Sequence, residues 1–346
     1  MEIRSRSERT TLMNPIVGIG ELLWDVYPDG RKVAGGAPFN FAFHCHQLGH
    51  PAVIVSRVGN DDLGRELRER VRELGLSDEY IQTDEEHPTG TVQVTLDANA
   101  VPTYTITENV AWDHIAWDEQ TARSLSATPA ICFGTLFQRC VWSRETLRRF
   151  LVNAYGFVGL NRPLELFSWV VETQPRHPVV VYDVNLRGNF YDRQTILHSL
   201  QDSNWCKVNE EELAVLVGML DLNWSEDVAV LSQLARFQHW RKDTVCLTRG
   251  GEGAFVFRRR EIAGDDTDTV YQEESVLEPG VPAKVVDTVG AGDSFTAAMV
   301  CLHLEGRPLR ECARFAVHYA ARVCEQPGGT PRIDRREVER AAFTQK

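Results

Sequence analysis

Asp287-Thr288-Val289-Gly290-Ala291-Gly292-Asp293, running on into Ser294-Phe295-Thr296-Ala297-Ala298-Met299-Val300, is the stretch on which the reading of this chain turns. It reads as a glycine-rich turn opening into a helix. Phe295, Met299 and Leu302 recur at helical spacing, and Gly306 supplies a stop. The free N–H groups of a helix start, with the helix dipole behind them, make an anion site. A carboxylate in that turn is the informative feature. Beside a bound phosphate the charge of Asp293 is repulsive unless it has a task, and taking a proton from an attacking hydroxyl is such a task. The competing reading is a plain helix cap, because Asp also satisfies free N–H groups and suits the dipole.

Composition narrows the classes. With 346 residues, 43% hydrophobic and 25% charged, the chain suffices for one large α/β domain with at most a small appendage. A net charge of -12 without a long basic run argues against nucleic acid or an anionic membrane as partner. No stretch approaches the roughly 18 apolar residues of a membrane span. Residues 1–14 are polar, carry Arg4, Arg6 and Arg9, and read as a disordered tail rather than a secretory signal. Residues 15–340 are then a single domain. The eight cysteines form no Cys-x-x-Cys pair, which fits free thiols in a reducing cytoplasm.

Ile16 to Gly20 is a short apolar run with the character of a first strand. A dinucleotide reading of its Gly-x-Gly fails, because the third glycine falls at Leu23 and Asp25 comes too early to serve a ribose. Asp25 at the end of a strand points instead into the cleft outside the sheet's carboxyl edge. Gly35-Gly36-Ala37-Pro38-Phe39-Asn40 is a second glycine turn, leading into a helix from about Phe39 to Leu48. Asn40 there faces either its own backbone, as a cap, or a ligand. A strand at Ala52–Val58 and a helix at Asp61–Leu74 begin a strand–helix alternation, the mark of a parallel sheet covered on both faces.

Residues 89–107 break that rhythm. Val92, Val94 and Leu96 alternate with polar residues, a turn falls at Ala98-Asn99-Ala100, and a second extended run follows. This predicts a β-hairpin apart from the main sheet, either a flap that excludes water or a surface used for dimer contacts. Strands are expected at Ala130–Gly134, at Pro178–Arg187, at Trp205–Val208 and at Thr244–Thr248, and a short one at Ala254–Phe257. Asp183, Asn185 and Arg187 close the second of these, where Arg187 serves either phosphate or a surface ion pair. Asn209 and Glu212 lie three apart at a helix start and can either hold water around Mg2+ or act as dipole partners.

Taken together the chain resembles the ribokinase-like sugar kinases of the PfkB carbohydrate kinase family. Both family signatures stand in order, the turn from Gly35 to Asn40 with Ala42, Gly49 and Gly59, and the stretch from Asp287 to Val300. The Asn-x-x-Glu at Asn209 and the Thr-x-Gly at Thr248 also match. The likeness runs from about Ile16 to Asp334, and implies a three-layer α/β/α fold with a mostly parallel sheet and a small β lid from about 26–35 and 89–107. It implies Asp293 as catalytic base and the N–H groups of Gly290, Ala291 and Gly292 as anion hole. Asp25, Gly35, Gly36 and Asn40 would hold sugar hydroxyls. Asn185, Thr248, Gly250, Gly253 and Asn209 would lie along ATP. Asn209 and Glu212 would serve Mg2+, and Asp287, Val289 and Gly328 a monovalent cation, usually K+. Within the family the motifs most resemble fructokinases, with Asp183-x-Asn185-x-Arg187 shared by 2-keto-3-deoxygluconate kinases. Phe39, in place of a small residue, and a long region at 155–163 depart from the pattern. A non-catalytic sugar- or nucleotide-binding scaffold is the reading from a different class.

Overall fold

The computed structural model describes residues 14–96, 102–155, 178–236, 243–263 and 270–344. The expected tail up to residue 13, the turn at 98–100 and the region 156–163 lie outside the described residues.

The chain opens with β1 (Ile16–Ile19), β2 (Leu23–Val26), β3 (Lys32–Gly35) and α1 (Ala37–Gln47). Then come β4 (Ala52–Gly59), α2 (Asp62–Glu73), β5 (Ile81–Asp84), β6 (Thr91–Leu96) and β7 (Pro102–Ile106). The middle holds α3 (Glu119–Ser124), β8 (Ala130–Phe133), α4 (Val141–Tyr155), β9 (Val179–Asp183), α5 (Arg193–Gln201), β10 (Trp205–Asn209), α6 (Glu210–Leu220) and α7 (Asp227–Arg236). The end is β11 (Thr244–Thr248), β12 (Gly253–Ala263), β13 (Val270–Pro279), α8 (Ala291–Leu304), α9 (Leu309–Cys324) and α10 (Arg335–Phe343).

Nine strands form the main sheet in the order β13-β12-β11-β10-β9-β8-β1-β4-β5. From β5 to β11 every pairing is parallel, and only the β11–β12 and β12–β13 pairings are antiparallel. β1 and β9 are apolar and buried along their length, as strands covered on both faces must be. One face packs on α1, α8 and α9 and the other on α4, α5, α6 and α7, giving two apolar cores. The sheet grows in opposite directions from β1, to β4 on one side and β8 on the other. That reversal opens a crevice at the carboxyl ends of the strands.

The predicted hairpin is β6–β7, and it joins β2 and β3 in a separate four-stranded sheet ordered β3-β2-β6-β7. Side-chain contacts tie this lid to the body, among them Lys32 on β3 with Glu66 on α2. Trp24 Nε1 donates to Leu63 O at 3.0 Å. Arg139, paired to both oxygens of Asp113 at 2.7 and 2.8 Å, also donates to Thr107 O at 2.7 Å.

Three expectations need correction. The strand expected over Pro178–Arg187 is β9 and stops at Asp183, so Asn185 and Arg187 lie in the loop beyond it. Asp25 is not at the carboxyl end of a main-sheet strand. Gly20, at φ +145°, turns the chain out of the main sheet, and Asp25 sits on β2 of the lid, opposite Val33 and Val92. The short strand at Ala254–Phe257 is the start of the long β12, which pairs with β13. β13 escaped notice because most of its residues are exposed and no period-two apolar pattern marks it.

Candidate active site

Asp293 stands in the first turn of α8, whose N-cap Gly290 is left-handed at φ +77°. A Cβ at Gly290 would lie 2.7 Å from Gly329, so the two loops approach as closely as glycine allows. At Gly292 a Cβ would lie 2.8 Å from Lys207 Nζ. The glycines of the turn therefore bring an ammonium group and the helix start onto one spot.

Asn40 Nδ2, from the first turn of α1, donates to Asp293 Oδ2 at 2.8 Å. Asp293 keeps part of its surface open to the cleft, yet burial is the main reason its carboxyl is raised to about 6. The nearby Asp183 carboxylate adds to the rise, while the Asn40 bond, Lys207 and Arg187 oppose it. At neutral pH the group is still ionised in roughly ten molecules of eleven, taking a value about one unit below pH 7.

Lys207, on β10, is the residue that sequence reasoning passed over. Its Nζ lies 3.1 Å from Asp183 Oδ1, and both side chains are buried. Burial works against its charge, but the carboxylates of Asp183, Glu212 and Asp293 outweigh that and raise its pKa, keeping the ammonium protonated. The available signal was a lone lysine in the apolar strand Trp205–Val208, two residues before Asn209. Thr296 Oγ1 lies 2.9 Å from Gly292 O and 3.3 Å from Asp183 Oδ2, locking this pair under the α8 turn.

The residues expected to hold the sugar divide between lid and body, Asp25 and Gly35 on β2 and β3, Gly36 and Asn40 at the start of α1. Asp25 carries a carboxyl raised to about 6, by burial first and then by Asp287, with Arg187 opposing. A Cβ at Gly35 would meet Asp25 Oδ2 at 2.9 Å, so glycine there leaves this carboxylate its room. Arg187 is exposed after β9, forms no ion pair among the described residues, and lies within electrostatic range of Glu21, Asp25 and Asp293.

On the nucleotide side the outcome is mixed. Strand register sets Asn209 beside Thr248 at the ends of β10 and β11, and Gly250 follows in an exposed turn at φ +51°. Asn185 is buried at φ +38° in the loop leaving β9. Gly253, by contrast, is fixed by packing, since a Cβ there would meet Glu278 O at 2.2 Å. Asn209 and Glu212 cap each other: Glu212 N donates to Asn209 Oδ1 and Asn209 N to Glu212 Oε2, each at 2.8 Å. Glu212 Oε1 also accepts Leu186 N at 3.3 Å. With both oxygens on backbone N–H groups, the pair fits hydrated Mg2+ reached through water, not an inner-sphere ligand. Asp287 ties two loops together, its Oδ1 accepting Val289 N at 3.0 Å and its Oδ2 accepting Gly328 N at 2.8 Å. Both oxygens of that carboxylate are thus taken by backbone N–H groups.

A cavity of about 530 Å³ lies beyond the Arg187 turn, lined by Asn109, Arg139, Arg144, Phe190 and Tyr191 among others. It contains none of the residues just described, so it is not the seat of this chemistry.

The pattern shared by the pfkB family carbohydrate kinases matches residues 26–135 and 161–335. This chain belongs to that family. A fructokinase of Klebsiella pneumoniae is 26% identical over 294 residues, covering 82% of each chain. A ribokinase of Arabidopsis thaliana is 26% identical over 348 residues, covering 94% of this chain and 80% of its own. Among solved structures, the ATP-bound fructokinase of Xylella fastidiosa superposes with a TM-score of 0.74 at 18% identity, covering 95% of this chain and 98% of its own. Arabidopsis thaliana ribokinase with ribose and ATP gives 0.71 at 20% identity, covering 96% and 99%. These likenesses fix the pfkB chain's fold as ribokinase-like, three layers with a β lid. Among its described residues no helix is long and apolar enough to cross a membrane.

Proposed function

We propose that this pfkB carbohydrate kinase transfers the γ-phosphate of ATP to a hydroxyl of a monosaccharide, with fructose as the acceptor. The observation that carries the mechanism is the Asn40–Asp293 bond, which aims an ionisable carboxylate at the start of α8 beside Lys207. The acceptor lies under the lid among Asp25, Gly35, Gly36 and Asn40, and ATP runs along the strand ends past Asn185, Asn209, Thr248 and Gly250. Asp293 takes the proton of the attacking hydroxyl as its oxygen bonds to the γ-phosphorus. The bond from that phosphorus to the bridging oxygen breaks, and ADP leaves with the electron pair. The N–H groups at Gly290 to Gly292 and the Lys207 ammonium face the charge that spreads over the transferring group. Mg2+, when bound with the nucleotide, neutralises further phosphate charge. Asn209 and Glu212 would position its water shell.

Fructose is favoured by the motif pattern around Glu21–Asp25 and Gly35–Asn40 and by the fructokinase relatives. One observation favours a second acceptor, 2-keto-3-deoxygluconate: the exposed Arg187 guanidinium, with no ion pair among the described residues, suits a sugar carboxylate. Mg-ATP consumption with fructose, 2-keto-3-deoxygluconate, ribose and adenosine tests the reading. Fructose is expected to give the highest kcat/KM. Turnover on another sugar moves the acceptor and keeps the mechanism. A folded protein that consumes no ATP with any of them overturns the kinase reading in favour of a binding scaffold.

A further inference from the structure

Glu21 is a buried carboxyl that neither the mechanism above nor the fold fully employs. It follows β1 at the head of the crevice, and its side chain is 2% exposed. The Gly35–Gly36 turn lies directly against it, because a Cβ at Gly36 would come within 2.2 Å of Glu21 O and 3.4 Å of its Cγ. Its Oε1 accepts Ala37 N at 3.2 Å, capping α1, whose own N-cap Gly36 has no side chain to do so. Its Oε2 is buried with no hydrogen-bond partner in the protein. One oxygen suffices for the cap, and a neutral amide would serve it equally well. A buried polar atom left without a partner is destabilising, so the second oxygen is expected to meet something that binds.

Its surroundings say what. Asp293 acts on Glu21 from α8 and Arg187 from the loop after β9, while the backbone of Glu21 and Ala37 supplies the hydrogen bonds. Those are the groups that surround the acceptor. Burial, helped by Asp293, raises the carboxyl to about 7, so on the alkaline side it is an acceptor only.

We propose that Glu21 Oε2 holds a second hydroxyl of the acceptor sugar, one other than the hydroxyl that is phosphorylated, and so selects which polyol sits under the lid. This rests on the sugar-kinase reading. Asp293 handles the reacting oxygen, and Glu21, approaching from β1, fixes the ring or chain around it. A sugar lacking the matching hydroxyl leaves Oε2 buried and unpaired.

The test is Glu21→Gln at pH 8, with Glu21→Met as a second variant and monodeoxy analogues of the best acceptor as probes. Glutamine keeps the oxygen that caps Ala37 but replaces Oε2 with a donor. Expected are a rise of about tenfold in sugar KM, the scale of one hydrogen bond to a charged group, and an ATP KM unchanged within about twofold. One monodeoxy analogue should bind the wild type about tenfold more weakly, and Glu21→Met should lose that discrimination. If Glu21 only caps α1, Glu21→Gln leaves sugar KM alone, Glu21→Met lowers only Tm, and the assignment is overturned. A wild-type protein inactive on every sugar overturns the kinase reading and this role with it. Active wild type with an indifferent Glu21→Gln overturns this role alone.

Discussion

Asn40 Nδ2 donates to Asp293 Oδ2 at 2.8 Å, a bond between residues 253 apart in the chain that joins the first turns of α1 and α8. It favours the ionised form of Asp293 and, in the proposed mechanism, fixes which oxygen faces the acceptor. Replacing Asn40 with Ala removes a hydrogen bond to a charged group, about 1.5–3 kcal/mol in a buried setting. The expected outcome is a loss of roughly 10- to 100-fold in kcat/KM at pH 7, with the acid limb moved to higher pH. A pH profile of the variant that superposes on the wild type rules this out.

The wild-type profile has its own signature. Asp293 must be ionised to act as base, and its carboxyl stands at about 6. Log kcat/KM should therefore be level above about pH 8 and fall with increasing slope below it, since Asp25 also titrates at about 6 and Glu21, in the role proposed for it, at about 7. Activity that persists unchanged at pH 5 contradicts Asp293 as the base.

Asp293→Asn separates function from stability. Turnover should fall by at least about 10²-fold, the general-base range. The folded-state pKa of Asp293 is raised above the ordinary 3.8. Its contribution to stability is thus present at low pH and lost as pH rises through about 6. The Asn variant should gain Tm over wild type at pH 8 and show little gain at pH 4.5. Calorimetry at the two pH values checks the sign.

Lys207 and Asp183 form a buried pair, so either alone is left as an uncompensated charge. Lys207→Met should lose about 3–5 kcal/mol of stability and about 10²–10³ in kcat, the scale of losing one oxyanion donor. Adding Asp183→Asn should recover much of the stability and none of the catalysis. Recovery of both by the double variant limits Lys207 to a structural role.

Asp287 links Val289 to Gly328, and the cation reading makes that link ion-dependent. Replacing NaCl with KCl should raise Tm of the wild-type protein, and Asp287→Ala should abolish the difference. Equal melting in Na+ and K+ for the wild type removes the monovalent-cation site.

Much of the fold was legible because its signals are local. Thr244–Thr248 was predicted as a strand and forms β11 with the same ends, and the helix expected over Asp61–Leu74 is α2 within a residue at each end. Apolar runs, glycine stops and alternation act over five to fifteen residues. β13 was missed because its exposed, charged composition carries no local strand signal, and only pairing with β12 makes it a strand. The Asn209–Glu212 pair was visible as a motif with two readings. The capping geometry shows that its side chains already serve the backbone, and any Mg2+ role of the pair belongs to the proposed mechanism.

The sequence by itself determined the two glycine turns, the helix starts behind them and the identity of Asp293, because backbone freedom, capping and the helix dipole belong to contiguous residues. It determined the family for the same reason. The tertiary structure alone decided that Asp25 belongs to the lid, that Lys207 meets the α8 turn, that Glu21 is buried with one oxygen unused, and that burial raises the Asp293 carboxyl. Those outcomes depend on which distant groups meet and how far water is excluded where they do.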